Sequence, residues 1–335
     1  MDSLLFAINA VSPIILMVAI GYFLKKIGFM NADFSKKANK LVFRVFLPVK
    51  LFLNVYGINS SASLNLNYVV YALIALIVVF LLAIPTVILI TKKKRCRGAL
   101  LQGIFRSNYA LIGIPLAAEL FGAEGEVVAT LLSAFIVPAF NILAVIGLSI
   151  FNNEGEKPNF KKMLLGILKN PLIIGIAAGL VAFGIRTTLA NHGFTLDIND
   201  ADINDAPAIW KTVGYLADIA APLALLVLGA QFEFSAIPSL KKEIISGVIL
   251  RSLIVPILCV GAAYLLFKDN ESFGGAQFAA LVAAFCTPVA VSSVPMAQEM
   301  GADAELAGQL VVFTTISSAI TVFSASFLLK LAGIF

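Results

Sequence analysis

The chain has 335 residues, 60% of them apolar and only 13% charged, with a mean hydropathy of +0.98. Soluble domains run at about 45–50% apolar and about 25% charged, and no single core of this size hides such a surplus. Soluble enzymes, disordered chains and nucleic-acid binders are excluded, and the net charge of +5 reads as membrane topology.

About 20 mostly apolar residues span a bilayer as a helix. Ten segments qualify, near 4–24, 38–56, 67–91, 98–121, 125–151, 163–186, 208–231, 244–267, 277–298 and 304–331. Asp2 stands where a cleavable signal would be basic, and the first run is too long for a signal core, so it reads as a retained span. The odd-numbered connections hold Lys25, Lys26, Lys36, Lys37 and Lys40; Lys92, Lys93, Lys94, Arg95 and Arg97; Lys157, Lys161, Lys162 and Lys169; and Lys241, Lys242 and Arg251. Together these are 17 of the 24 basic residues. The opposite side has an uncharged stretch at 57–66 and an acidic one with Asp197, Asp200, Asp202 and Asp205. The ninth connection breaks the alternation with Glu299, Asp303 and Glu305, but acids contribute little to orientation. The positive-inside rule therefore puts the basic loops in the cytoplasm and both termini outside, across a plasma or bacterial inner membrane. His192, in a polar loop, reads as solvated, and Cys96, Cys259 and Cys286 show no paired spacing; no disulfide, metal or cofactor is called for.

The two halves share an ordered pattern. Ser12-Pro13-Ile14-Ile15 with Gly21 matches Asn170-Pro171-Leu172-Ile173 with Gly179, and Leu47-Pro48-Val49 matches Ala221-Pro222-Leu223. Ile114-Pro115-Leu116-Ala117 with Glu119 matches Val294-Pro295-Met296-Ala297 with Glu299. Five spans per half, an odd number, would insert the second copy upside down. The expected organisation is thus an all-α polytopic protein with one repeat at 1–151, a short cytoplasmic connector at 152–162 and an inverted repeat at 163–335. Inverted repeats are the architecture of secondary transporters, whose substrate site lies near the midplane between the copies.

The fourth span reads Arg106-Ser107-Asn108-Tyr109-Ala110-Leu111-Ile112-Gly113-Ile114-Pro115, and the ninth Cys286-Thr287-Pro288-Val289-Ala290-Val291-Ser292-Ser293-Val294-Pro295. Proline removes a donor and clashes with the carbonyl four residues back. Gly113 and the paired serines favour local unwinding over a simple kink, with a half-helix starting at each proline. Its free N–H groups and dipole suit a carboxylate, and the freed carbonyls suit a cation or a substrate donor. Asn108 is then a ligand-facing amide or, in the plainer reading, a helix–helix hydrogen bond. Lys50 is either functional at depth or snorkels to an interface, and Arg44 snorkels or meets phosphate. Asp218, the one acid well inside an apolar stretch, either titrates during a cycle or is a structural partner. Glu119 and Glu299 match by symmetry; they are candidates for ion or proton coupling but read more simply as solvated helix ends.

At these residues the chain resembles the auxin efflux carriers, which include plant PIN carriers and bacterial carboxylate permeases, malate and malonate permeases among them. The resemblance rests on Asn108 with Gly113-Ile114-Pro115-Leu116, and on Val294-Pro295 with Glu299. Val45-Phe46-Leu47-Pro48, Asn170-Pro171, Leu216-Ala217-Asp218, and Arg251 with Pro256 follow in order. It implies a ten-helix fold like that of the bile acid/sodium symporters, with broken crossover helices 4 and 9, a scaffold domain, and a crossover domain moving against it as an elevator. The connector at 152–162 is far shorter than the cytoplasmic loop of many plant members.

The function expected is secondary transport of a small organic anion, a carboxylate, by alternating access. The site would comprise Asn108, Gly113, Ile114, Pro115, Pro288, Ser292, Ser293, Pro295 and Lys50, with Asp218, Glu119 and Glu299 as coupling candidates. The expected partners are the anion and the lipid bilayer, with no nucleic acid; homodimerisation and coupling to protons or sodium stay open. A receptor or channel-like binding protein on the same fold is the alternative. A membrane enzyme would need clustered acid–base, nucleophilic or metal groups, which the spans do not offer.

Overall fold

The computed structural model describes residues 13, 16–57, 66–151, 165, 168–191, 207–270 and 273–335. His192, the acidic connection at 197–205, the stretch at 58–65 and Lys157, Lys161 and Lys162 lie outside the described residues, as does most of the first expected span. Among the described residues the chain is helical, without a strand.

Residues 16–26 form α1. Helix α2, Ala32–Leu41, begins six residues before the expected second span because Asn31 caps it, accepting from the Phe34 amide at 2.8 Å. Its lysines 36, 37 and 40 point outward while Ser35, Ala38 and Asn39 are buried. A π-turn at Val42–Phe46 leads into α3, Leu47–Tyr56, and its extra residue relieves the clash that Pro48 would impose on the preceding turn.

Helix α4, Asn67–Ile90, shows why the chain belongs in lipid. Val70, Ile74, Ile77, Val78, Leu81, Leu82 and Leu89 are exposed along one face, while Tyr68, Val69, Ala72, Leu76, Val79, Phe80, Ala83 and Val87 are buried on the other. A helix apolar all round with one face uncovered suits hydrocarbon rather than water.

Helix α5, Lys94–Phe105, then stops. After the extended Arg106–Asn108 link, a π-turn at Tyr109–Gly113 enters α6, Ile114–Phe151, which is interrupted at Phe121 and Gly122. Gly122 has φ +62°, a left-handed conformation that glycine adopts without penalty. In the second half come α7, Pro171–Asn191, and α8, Pro207–Gln231. Helix α9, Ile237–Ile249, continues through π-turns at Leu250–Ile254 and Ile257–Gly261 into α10, Ala262–Phe267. Pro256 lies between those turns, and the Ser252 carbonyl four residues back accepts from the Thr321 hydroxyl at 2.7 Å. Helix α11, Gly275–Phe285, gives way to a non-helical stretch before α12, Ser293–Glu299, and α13, Ala304–Leu331, closes the chain.

Among the described residues six helical stretches are long and apolar enough to cross a bilayer: Asn67–Ile90, Ile114–Phe151, Pro171–Leu189, Ala208–Gln231, Ile237–Phe267 and Ala304–Leu331. The fourth and ninth expected spans differ in kind, since each is two short helices around a break. Each half-helix that follows a break begins within two residues of its matched proline, as the sequence predicts. Pro115 is the second residue of α6, beyond the π-turn that accommodates it, and Pro295 sits in the first turn of α12, where its missing N–H has no helical partner to lose.

The helices sort into two groups. In one, α1 lies on α8 and α7 on α3, each at close backbone range. A Cβ on Gly21 would fall 2.1 Å from the Leu226 carbonyl oxygen, and one on Gly179 2.8 Å from that of Phe52. In the other, α4–α6 pack with α9–α13, and α11 is so enclosed that Phe278 through Phe285 are all buried. Polar contacts join the groups at α12. Gln298 accepts from the Asn39 and Gln231 side-chain amides, the latter at 3.4 Å, and Arg44 Nε stands 3.4 Å from Glu299 Oε2. Beside them Lys25 pairs with Glu233, whose carbonyl accepts from Gln309 at 3.0 Å.

Candidate functional site

The two broken helices cross at their breaks. The Arg106–Asn108 link runs antiparallel to the stretch before α12, with Ser107 bridging Val289. The Asn108 amide donates to the Pro288 carbonyl at 2.8 Å, and the Ser107 and Thr287 hydroxyls share a hydrogen bond at 2.5 Å. The Val289 amide donates to Thr314 Oγ1 at 3.1 Å. Backbone groups freed by unwinding thus find partners across the crossing, as a non-aqueous interior demands. Tyr109 anchors the link through its hydroxyl, which donates to the Ala129 carbonyl at 2.9 Å.

One small cavity opens against this crossing. Lys50 and Asn54 of α3, Arg106 and Asn108 of the link, Asn141 of α6 and Ser292 contribute to its polar wall, and among the described residues no Asp, Glu or His lines it. Ala220, Ala221 and Ala224 make room on the α8 side.

The Arg106 guanidinium is 2% exposed. It donates to Asn141 Oδ1 and Ser292 Oγ, each at 2.7 Å, to Gln102 Oε1 at 2.8 Å and towards Met296 Sδ at 2.7 Å. Ser293 Oγ lies at its outer limit, 3.5 Å. None of these groups carries charge, and among the described residues no acid pairs with Arg106. Asn108 is 6% exposed, and its Nδ2 has no hydrogen-bond partner among the described residues. A buried donor left open beside two cations is arranged to receive an acceptor with negative charge.

Of the residues singled out from sequence, the structure brings Lys50, Asn108 and Ser292 together on the cavity wall. Pro288 reaches the crossing through its carbonyl, and Ser293 through the long Arg106 contact. Gly113, Ile114, Pro115 and Pro295 lie outside the lining. At Gly113 a Cβ would come 3.1 Å from the Ala283 carbonyl oxygen, so that glycine lets α11 pack close. Asp218 is exposed on α8, outside the cavity but within electrostatic range of Lys50. Glu119 is exposed near the α6 interruption, and Glu299 faces Arg44. Sequence reasoning assigned no role to Arg106 or Asn141. A cation opening a polar tripeptide inside an apolar run is the signal that marks Arg106.

A family model described as membrane transport protein matches residues 6–325. The chain belongs to this family, the auxin efflux carriers. The carrier is 24% identical over 326 residues to an uncharacterized transporter of Methanothermobacter thermautotrophicus, covering 93% of this chain and 95% of that one. It is 25% identical over 248 residues to an uncharacterized transporter of Methanocaldococcus jannaschii, covering 72% and 73%. The carrier is an integral membrane protein, and its family points to transport rather than catalysis.

Proposed function

We propose that this carrier is a secondary transporter that moves a small organic anion, a carboxylate, by alternating access, with the substrate at the crossing of the two broken helices. The observation that carries the reading is the cavity wall: two cationic side chains, Lys50 and Arg106, and the open amide of Asn108, with no acid among them. The carboxylate accepts from Asn108 Nδ2 while the two cations supply attraction across a medium that screens poorly. The group of α1–α3, α7 and α8 serves as scaffold, and the group holding the crossing moves against it. A ten-span arrangement as two inverted halves accounts for the antiparallel crossing and for the matched glycines, Gly21 and Gly179, each seated on a backbone carbonyl of the other half.

The test is a thermal-shift screen of the purified carrier against mono- and dicarboxylates, followed by counterflow in proteoliposomes. A ligand that binds only the folded state raises Tm by an amount that grows with the logarithm of its concentration relative to Kd, and exchange of labelled anion against internal anion marks a carrier. Binding without exchange would assign a receptor or channel instead.

A further inference from the structure

The crossing has a second buried cation, on the face away from the anion cavity. Arg251, 1% exposed, rises from the π-turn at Leu250–Ile254 and does not line the cavity. Its Nε and Nη2 donate to the Thr287 carbonyl at 3.0 and 2.7 Å, and Nη2 also reaches Ala284 at 3.3 Å. Nη1 turns to the other broken helix, towards the carbonyls of Phe105 at 3.4 Å and Ile104 at 3.5 Å. Ile104 and Phe105 close α5 and Ala284 lies in the last turn of α11, while Thr287 belongs to the non-helical stretch just beyond that helix. Ala284 is also the residue four back from Pro288, so its carbonyl is one that proline strips of a helical donor. Among the described residues Arg251 has no ion pair with a carboxylate.

Carbonyls at the negative ends of two half-helices, converging without an acid, form a cation site. In a carrier driven by a cation gradient, such a site would bind a mobile ion. We propose that here Arg251 is the resident cation: the site for a monovalent cation is filled covalently by the guanidinium, which pins both half-helices together and leaves no free ion a place at the crossing. A guanidinium is suited to this because its donors spread in a planar fork over several acceptors and its charge is permanent. The inference rests on the crossing being the transport centre, but its test reads cation binding rather than anion movement, so the two fail separately.

The purified full-length carrier is compared with Arg251→Ala, Arg251→Lys and Arg251→Gln, in choline, sodium and millimolar guanidinium chlorides at equal ionic strength. Wild type is expected to melt identically in sodium and choline, and to bind no 22Na⁺ in a scintillation proximity assay. Arg251→Ala is expected to melt lower than wild type and to gain about 2–4 °C from guanidinium, which wild type does not. Arg251→Lys, which keeps the charge, is expected to melt above Arg251→Gln, which keeps only donors; this pair decides the question if the alanine variant does not fold. Saturable stabilisation of wild type by sodium would overturn the proposal. So would Arg251→Gln matching Arg251→Lys, because the side chain would then act as a donor and not as a cation.

Discussion

Asn108 and Arg106 stand two residues apart on one extended link, and they were unequally legible in the sequence. A buried amide ahead of a proline-containing turn announces itself, since its donors must be used or left costly. An arginine at the same depth reads as a span-edge cation until the fold shows which groups surround it. For Asn108→Ala, loss of a hydrogen bond to a charged group, worth about 1.5–3 kcal/mol, predicts roughly tenfold or greater weakening of carboxylate binding in a ligand-induced Tm shift. The apo protein should melt near wild type, since Asn108 Nδ2 has no protein partner to lose; unchanged affinity would make Asn108 a packing residue. Arg106→Ala differs, because it strands Asn141 Oδ1 and Ser292 Oγ as well as removing charge. Its apo stability should fall by about 1–3 kcal/mol, while Lys50→Gln, whose side chain is half-buried, should weaken anion binding with little change in apo Tm. Lys50→Arg should bind more tightly than Lys50→Gln, and equal affinities in both would assign Lys50 to the interface.

At the scale of the element, hydropathy located the long helices well, and the exposed face of α4 is the reason: lipid imposes one uniform demand along the whole length. The matched prolines also marked the half-helices that follow the breaks: Pro115 and Pro295 stand in their first turns, while the Arg106–Asn108 link and the segment around Pro288, which form the crossing, lie before them. Whether a proline breaks a helix depends on where its lost donor would have pointed, which periodicity does not record. The π-turn makes Pro115→Ala a mild change: its apo Tm should stay near wild type, and a large rise would show that the turn is held open by proline alone. Gly179→Val should be far more damaging, because the new side chain meets the Phe52 backbone, which cannot rotate away. Overpacking of this kind costs about 1–3 kcal/mol or more, readable as a lowered Tm with α3 and α7 forced apart.

For the whole molecule, charge asymmetry carries an orientation proposal that contacts within the protein do not encode. With Cys96, Cys259 and Cys286 replaced, a cysteine at Ser61 should react with an impermeant maleimide from outside intact cells, and one at Asn153 only after the membrane is opened. Labelling of Asn153 in intact cells would reverse the proposed topology. The two groups of helices were legible only as matched prolines and glycines, because the Gln298 and Glu299 contacts between them join residues hundreds of positions apart in no periodic register. The acid-free cavity wall has one further consequence, for how activity follows acidity. Free carboxylic acids titrate near pH 4–5, and among the described residues the wall offers no carboxyl or imidazole to titrate there. The acid limb of the uptake profile would therefore be written by the cargo. Affinity should hold steady as pH falls towards neutrality and decline only as the ligand takes up its own proton, so that cargoes of different acidity trace displaced curves on the same protein.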